Sequence, residues 1–234
     1  MHRKVSVCRG LALLAGLASP IPAIASEATL SVRIDGLDAG GWFPDSAAFC
    51  PPASSARKDV SPAISWTAGP PGTRSYAILM TDPDVPQDFG QINRAGVTIP
   101  AAAPRVRVFH WALVDVPSSR TALAQGEDGD RLVPGGKPVG ETGHGRRGAN
   151  VYTTFLANVH GMAGLYGGYD GPCPPANDER VHRYSIRVIA LDVATLGLTG
   201  AFDGEAALAA AEGHILASGA ATADYALNPA LAKK

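Results

Sequence analysis

The chain is 234 residues long, with a formal net charge of -1 at pH 7 and only 18% charged residues. That balance argues against a nucleic-acid partner, which normally demands a basic face, and the length suits one domain or at most two small ones. The 27 glycines and 19 prolines favour strands and turns over long helices.

Residues 1–25 read as a secretory signal peptide. His2, Arg3, Lys4 and Arg9 make a basic start, Leu11 to Ala18 is a short apolar run, and Ala23-Ile24-Ala25 supplies a cleavage signal before Ser26. The run is too short and wrongly flanked to anchor a membrane protein, and no later run would span a bilayer. The expectation is a single domain over 26–234, periplasmic or secreted, with no transmembrane anchor. Cys8 precedes the apolar run, so it is not a lipid-attachment cysteine. Cys50 and Cys173 remain after cleavage. In an oxidising compartment they form either a disulfide or two buried thiols, because spacing alone does not prove proximity.

Six segments carry strand patterns: 29–34, 63–66, 75–81, 106–116, 151–157 and 184–193. Turn chemistry separates them, including Pro70-Pro71-Gly72, Pro117-Ser118-Ser119 and the glycine-rich 164–171. One helix is expected from Glu205 to Ala217, with Asp203 as N-cap and its end before Gly219. His214 would lie in that helix as a packing residue. The fold class is therefore mostly β, with a C-terminal helix. Two polar stretches, 87–104 and 126–148, have no clear pattern and read as functional rims or as surface insertions.

Familiar catalytic signatures are missing: no G-x-S-x-G, H-E-x-x-H, C-x-x-C or P-loop occurs. Residues 143–148 match G-x-G-x-x-G but lead into a strand instead of a helix, so the dinucleotide-binding context fails. The six histidines lack ligand spacing, which argues against a metal, and no cofactor is implied.

Polar groups do gather where strands end. "YAILMTDPDVP" carries Asp82 and Asp84 on an extended rim stiffened by Pro83 and Pro86. "VRVFHWALVDVP" puts His110 in mid-strand, on the face of Val108 and Ala112 and opposite Phe109 and Trp111. "GPCPPANDERVHRY" runs from a stiff turn into a strand on which His182 and Tyr184 share one face. Arg183 points the other way, toward an ion pair with Asp170 or Asp192.

Taken together, Asp82 to Pro86, His110-Trp111, Gly171 to Pro175 and His182-Arg183-Tyr184 resemble the phosphatidylethanolamine-binding proteins. The likeness is closest to their bacterial YbhB/YbcL branch, called Raf-kinase-inhibitor-like. "SPAISW" (61–66), "ALDV" (190–193), "GHILA" (213–217) and "YALNP" (225–229) extend the resemblance from about Phe43 to Pro229. It implies two antiparallel β-sheets with a few peripheral helices, and a small pocket for phosphate and phosphoryl head groups. The implied ligand-binding residues are Asp82, Asp84, Pro86, His110, Gly171, Pro174, Pro175, His182, Tyr184 and, at the variable C-terminal end, Tyr225. The segment 176–181 departs from the family's usual glycine-rich linker, and the 87–104 insertion could narrow or cap the pocket.

An anion site wants imidazole, hydroxyl and backbone N–H donors, here His110, His182, Tyr184 and the Gly171 amide. The two aspartates either hold an imidazole in its charged, donating form or receive the ammonium of a zwitterionic head group. The expected function is binding of a small phosphorylated ligand or phospholipid head group, without catalysis. One alternative is a protein-interaction module that inhibits a periplasmic protease or other partner through 87–104 or 126–148. A hydrolase with His110 as general base and Asp82 as its orienter is the other.

Overall fold

The computed structural model describes His2 and residues 28–231. The expected leader, apart from His2, lies outside the described residues. Ten strands and two short helices follow in order: β1 (Ala28–Thr29), β2 (Val32–Ile34), β3 (Ile64–Trp66), β4 (Ser75–Pro86), β5 (Arg105–Pro117), β6 (Ala122–Leu123), β7 (Gly140–Thr142), β8 (Gly145–Arg147), α1 (Tyr152–Phe155), β9 (His182–Leu191), α2 (Gly204–Ala211) and β10 (Ile215–Tyr225). A seven-stranded sheet runs β1-β10-β9-β4-β5-β8-β7, and a three-stranded sheet runs β2-β3-β6. All pairs are antiparallel except β1 beside β10. The protein is thus mostly β, with two antiparallel sheets and few helices. No helix among the described residues is long and apolar enough to cross a membrane.

Apolar residues of both sheets meet in the principal core. Ile34, Ile64 and Trp66 from the small sheet pack with Tyr76, Ile78, Trp111, Tyr184 and Val188 from the large one. The other face of the large sheet is covered by α2, where Ala207 and Ala211 join Phe109, Ala112, Val114 and Phe202. A third cluster of Phe49, Tyr152 and Tyr166 lies beside Cys50 and Cys173. Those two cysteines form a disulfide, with Cα atoms 4.7 Å apart.

Four expectations change. The segment 151–157 is not a strand: Tyr152–Phe155 forms α1, with the Tyr152 N–H donated to Asn150 Oδ1 at 3.0 Å. Its Thr pair and aromatic residues mimic strand composition, and the tertiary site overrides that weak preference. The helix expected to reach Ala217 stops at Ala211. Gly213, at φ +82°, takes the left-handed conformation that ends helices, and Ile215 starts β10. Asp203 does cap α2, accepting from the Ala206 N–H at 2.9 Å. His214 therefore sits in a turn and pairs with Asp192 at 2.8 Å. The segment 29–34 is split between β1 and β2. Finally, 126–148 contains the β7–β8 hairpin, which extends the large sheet through β5; the glycine motif of 143–148 belongs to that hairpin.

Gly219 marks where β10 passes closest to the first strands. A Cβ there would lie 2.0 Å from the Leu30 carbonyl oxygen, a distance no side chain tolerates. Gly219→Ala should destabilise the protein by about 2–3 kcal/mol, measured by urea unfolding. A change within about 0.5 kcal/mol, typical of an unconstrained surface position, would contradict this packing.

Candidate functional site

Sheet order brings the motif residues together. β9, β4 and β5 are neighbours, so the end of β4 carrying Asp82, the start of β9 carrying His182 and the middle of β5 carrying His110 share one end of the sheet. The β4–β5 register steps from Met80↔Trp111 to Thr81↔Phe109, which leaves His110 as an extra residue. This β-bulge breaks the alternation expected for β5. Phe109 packs in the core under α2 and Trp111 in the core between the sheets, so they do not share a face. Bulges re-aim side chains in this way. His110 is aimed toward Tyr152 and Tyr184, whose rings meet its imidazole edge to face at 5.5 and 5.3 Å.

His182 is clamped between two carboxylates. Its Nδ1 donates to Asp82 Oδ2 at 2.7 Å and its Nε2 to Asp178 Oδ2 at 3.2 Å. Asp178 also receives a two-pronged contact from Arg105, at 2.5 and 2.9 Å. Asp82 Oδ1 accepts the Asp84 N–H at 2.8 Å. Charges alternate along the buried chain Asp82–His182–Asp178–Arg105, each neutralised by its neighbour. Burial alone would depress the His182 pKa, but the Asp178 and Asp82 hydrogen bonds and charges outweigh it and raise it to about 9. Burial pushes Asp178 up, while His182 and Arg105 bring it down to about 2. Asp82 is likewise held below its ordinary value, the bond and charge of His182 outweighing burial.

His110 has the opposite character. Its Nδ1–H donates to the Asp170 carbonyl at 3.1 Å, which makes Nε2 the unprotonated acceptor. Burial lowers its pKa, and the nearby Asp82 carboxylate only partly offsets this. At neutral pH the site therefore holds a neutral His110 beside a charged His182 that has no N–H left to give.

These groups floor a cavity of about 160 Å³. Its walls are mostly apolar: Phe49, Val85, Ile92, Phe155, Leu156, Pro175 and the two disulfide cysteines line it, with Asp82, Asn93, His110, Tyr152 and His182. Ile92 and Phe155 also line an adjoining hollow with Phe89 and Thr154. The 87–104 segment forms one wall and is pinned there. Asn93 N–H donates to Asn177 Oδ1, and Ala176 N–H to Asn93 Oδ1, each at 2.8 Å. The Asn177 side-chain amide holds the Gln91 and Val97 carbonyls at 2.9 Å. The departure at 176–181 and the insertion at 87–104 are thus two halves of one clasp.

Of the residues expected to bind a ligand, Asp82, His110, Pro175 and His182 line this cavity. Tyr184 lies behind it, its ring against both histidines; its buried hydroxyl makes no hydrogen bond. The other five positions do different work. Asp84 turns away and accepts from Arg180 and from the Arg183 N–H. Pro86 lines a separate hollow with Ile99 and Pro104. The Gly171 N–H is not offered to the cavity: it donates to Asp59 Oδ1 at 2.8 Å. A Cβ on Gly171 would lie 1.8 Å from the Ala47 carbonyl oxygen, so close packing explains the glycine. Pro174 is buried outside the lining. Tyr225 donates to Asp45 Oδ1 at 3.1 Å within the core. Arg183 pairs with Asp224 on β10 at 2.9 Å, not with Asp170 or Asp192. Among the described residues, no three His, Cys, Asp or Glu side chains are grouped to hold a metal ion.

Sequence reading missed Tyr152, hidden in the misassigned strand, and also Phe49, Asn93, Asp178 and Arg105. Asp178 and its Arg105 partner lie 73 residues apart, and no local pattern links them.

A compact cavity with apolar walls over a few convergent polar groups has the form of a small-ligand site. The model of the phosphatidylethanolamine-binding protein family matches residues 35–226, and the chain belongs to that family. A UPF0098 protein of Aquifex aeolicus is 32% identical over 60% of this chain and 59% of its own length. The UPF0098 protein YbcL of Escherichia coli is 29% identical over 57% of this chain and 53% of its own; for YbhB of the same organism the figures are 26%, 71% and 82%. The chain thus spans little more than half the length of the first and second of these relatives. The crystal structure of YbcL superposes with a TM-score of 0.58 at 21% identity, covering 85% of this chain and 99% of YbcL. A homologue from Chlamydia trachomatis gives 0.56 at 22%, covering 84% and 97%. At those identities the structural likeness is one of fold.

The clamp sets a pH window. His182 has a folded-state pKa raised above its ordinary 6.5, so its contribution to stability is complete below pH 6.5 and lost as pH rises through about 9. Nitrogen-detected NMR should find both His182 ring nitrogens protonated at pH 7.5, with a midpoint near 9. Urea unfolding should show stability falling by a few kcal/mol from pH 6.5 to 9. A midpoint at or below 6.5 would exclude the clamp.

Proposed function

We propose that this is an exported binding protein for a small phosphoryl group, either a free phosphorylated molecule or a phospholipid head group. The observation that carries this reading is the neutral, buried His110 at the floor of an apolar-walled cavity, beside charge pairs that are already balanced. An anion entering such a cavity supplies the negative charge that would make His110 take up a proton, and the imidazolium then donates from Nε2. Of the two roles considered for the aspartates, the first is modified. Asp82 does hold an imidazole in its charged form, but that imidazole is His182, whose nitrogens are both committed. The ammonium role is weakened, because both Asp82 oxygens already accept hydrogen bonds.

Several features favour binding over turnover. No Ser, Thr or Lys lines the cavity, and both lining cysteines are in the disulfide. The hydrolase reading needs Asp82 to orient His110, whereas the Asp170 carbonyl does so. Export is supported by the leader pattern and by a disulfide, which persists in oxidising compartments. The 87–104 segment is engaged as a cavity wall, which leaves less of it free to inhibit a protein partner.

Sulfate does not titrate between pH 5 and 8 and so isolates the protein's protonation. Calorimetric affinity for sulfate should rise as pH falls from 8 to 5, by up to about tenfold per unit where one proton is taken up. Phosphoethanolamine should bind in the same cavity and compete. In His110→Gln the pH dependence should vanish and the affinity at pH 5.5 should drop at least about tenfold, on the order of one charge-assisted hydrogen bond. Wild-type affinity that is flat with pH would overturn this reading.

A further inference from the structure

Behind the cavity lies a buried group of side chains that ligand binding does not use. Lys137, from the 126–148 segment, reaches into the protein and is only 6% exposed, while Asp59 and Asp170 are fully buried. Lys137 Nζ lies 2.5 Å from Asp170 Oδ1 and 3.4 Å from Asp59 Oδ2. The second oxygen of Asp170 accepts from the Asn150 side-chain amide at 2.6 Å. Tyr152 and Tyr169, both buried, stand nearby, and each feels the charge of Asp59 and Asp170.

One ammonium between two carboxylates leaves an excess negative charge that a dry interior does not sustain. A proton on one carboxyl would remove the excess. Burial pushes the Asp170 carboxyl well above the usual carboxylate range against the opposing pull of Lys137, and the adjacent Asp59 pushes it further. A protonated carboxyl held against an amine, away from water and with a second carboxylate beside the amine, is arranged for condensation.

We propose that Lys137 and Asp170 form an intramolecular isopeptide bond, with Asp59 as the proton carrier. Asp59 Oδ2 takes a proton from the Lys137 ammonium, and the freed Nζ lone pair attacks Asp170 Cγ. The Asn150 amide hydrogen bond supports the oxygen that gains charge, as oxyanion donors do. The Cγ–O bond to the other oxygen then breaks, its electron pair leaving with the oxygen as water. Of the two remaining ammonium protons, one departs in that water through Asp59 and one stays on the amide nitrogen. The balance is one ammonium, one carboxylic acid and one carboxylate giving one amide, one water and a protonated Asp59. No oxidant, metal or cofactor is needed.

The cross-link would close the chain between residues 137 and 170, next to the tie already made by Cys50 and Cys173. It would also fix the Asp170 backbone, whose carbonyl sets the His110 tautomer. A competing loss of water exists, since Asp170 precedes Gly171 and an Asp-Gly pair can cyclise to a succinimide. That route needs the Gly171 nitrogen as nucleophile, and here its N–H is committed to Asp59 Oδ1.

Intact-mass spectrometry of the mature, disulfide-reduced, denatured protein tests the proposal. The wild type should be lighter than its sequence by one water, and proteolysis should release one branched peptide joining the segments that carry Lys137 and Asp170. Lys137→Arg should have full mass. Asp59→Asn, which keeps both reacting residues, should be unlinked or linked far more slowly while retaining a native circular dichroism spectrum. If Asp59→Asn fails to fold, the wild-type peptide map decides alone. Full mass in folded wild type after prolonged incubation would overturn the proposal. So would a water loss confined to Asp170-Gly171 with no branched peptide.

Discussion

A single protonated imidazole between two carboxylates organises the site. His182 uses both of its nitrogens to join Asp82, at the end of β4, to Asp178, in the loop before β9. Arg105, at the start of β5, completes the row from the far side of Asp178. Three segments distant in sequence, the end of β4, the start of β5 and the stretch 178–182, are thus held by alternating charge in a place where water cannot screen it. Each ion alone would be costly to bury, and together they are tolerated because every one has a partner at hydrogen-bond distance. The same loop carries the Asn177 clasp that pins the 87–104 segment, so the clamp also fixes one wall of the cavity.

The clamp decides what chemistry is left over. A charged histidine with both N–H groups committed to carboxylates is a strut. In the proposed function the ligand-facing role falls to His110, which the β5 bulge turns toward the cavity and whose pKa burial lowers. The charged groups around the cavity are therefore already balanced, and in the proposed function its response to an anion depends on proton uptake. Behind it, the Asp59–Lys137–Asp170 group holds the backbone that holds His110. The disulfide, the Gly171 contact with Ala47 and the buried tyrosines make that backing stiff.

Much of the fold was legible in the sequence because the central strands declare themselves. The apolar, β-branched runs of β4, β5 and β9 have the right residue types at the right period. The shared face of His182 and Tyr184 followed from that period. β10 was not legible: "ILASGAATADY" is rich in Ala and Gly, and only its pairing with β9 along nearly its whole length makes it a strand. The missed signal was Gly213, a helix stop read as helix interior. The bulge at His110 was illegible for another reason, since register against a partner strand sets it and no single-strand pattern encodes it. At the site, the motif residues were identifiable but their hydrogen-bond partners were not. Asp178 and Asp170 lie in unpatterned segments and Arg105 at the first position of β5, and those partners separate strut from ligand-facing group. Asp84 and Pro86 share a motif with Asp82, yet strand geometry points them elsewhere.

The central claim is that His182 is a committed strut and His110 the group that meets the ligand. A crystal structure of the protein grown at pH 5.5 in the presence of phosphate tests it most directly. The account predicts a phosphate in the cavity within hydrogen-bond distance of His110 Nε2, with His182 still bonded to both Asp82 and Asp178. A phosphate bonded instead to His182 with Asp178 displaced, or an empty cavity in crystals saturated with phosphate, would contradict it.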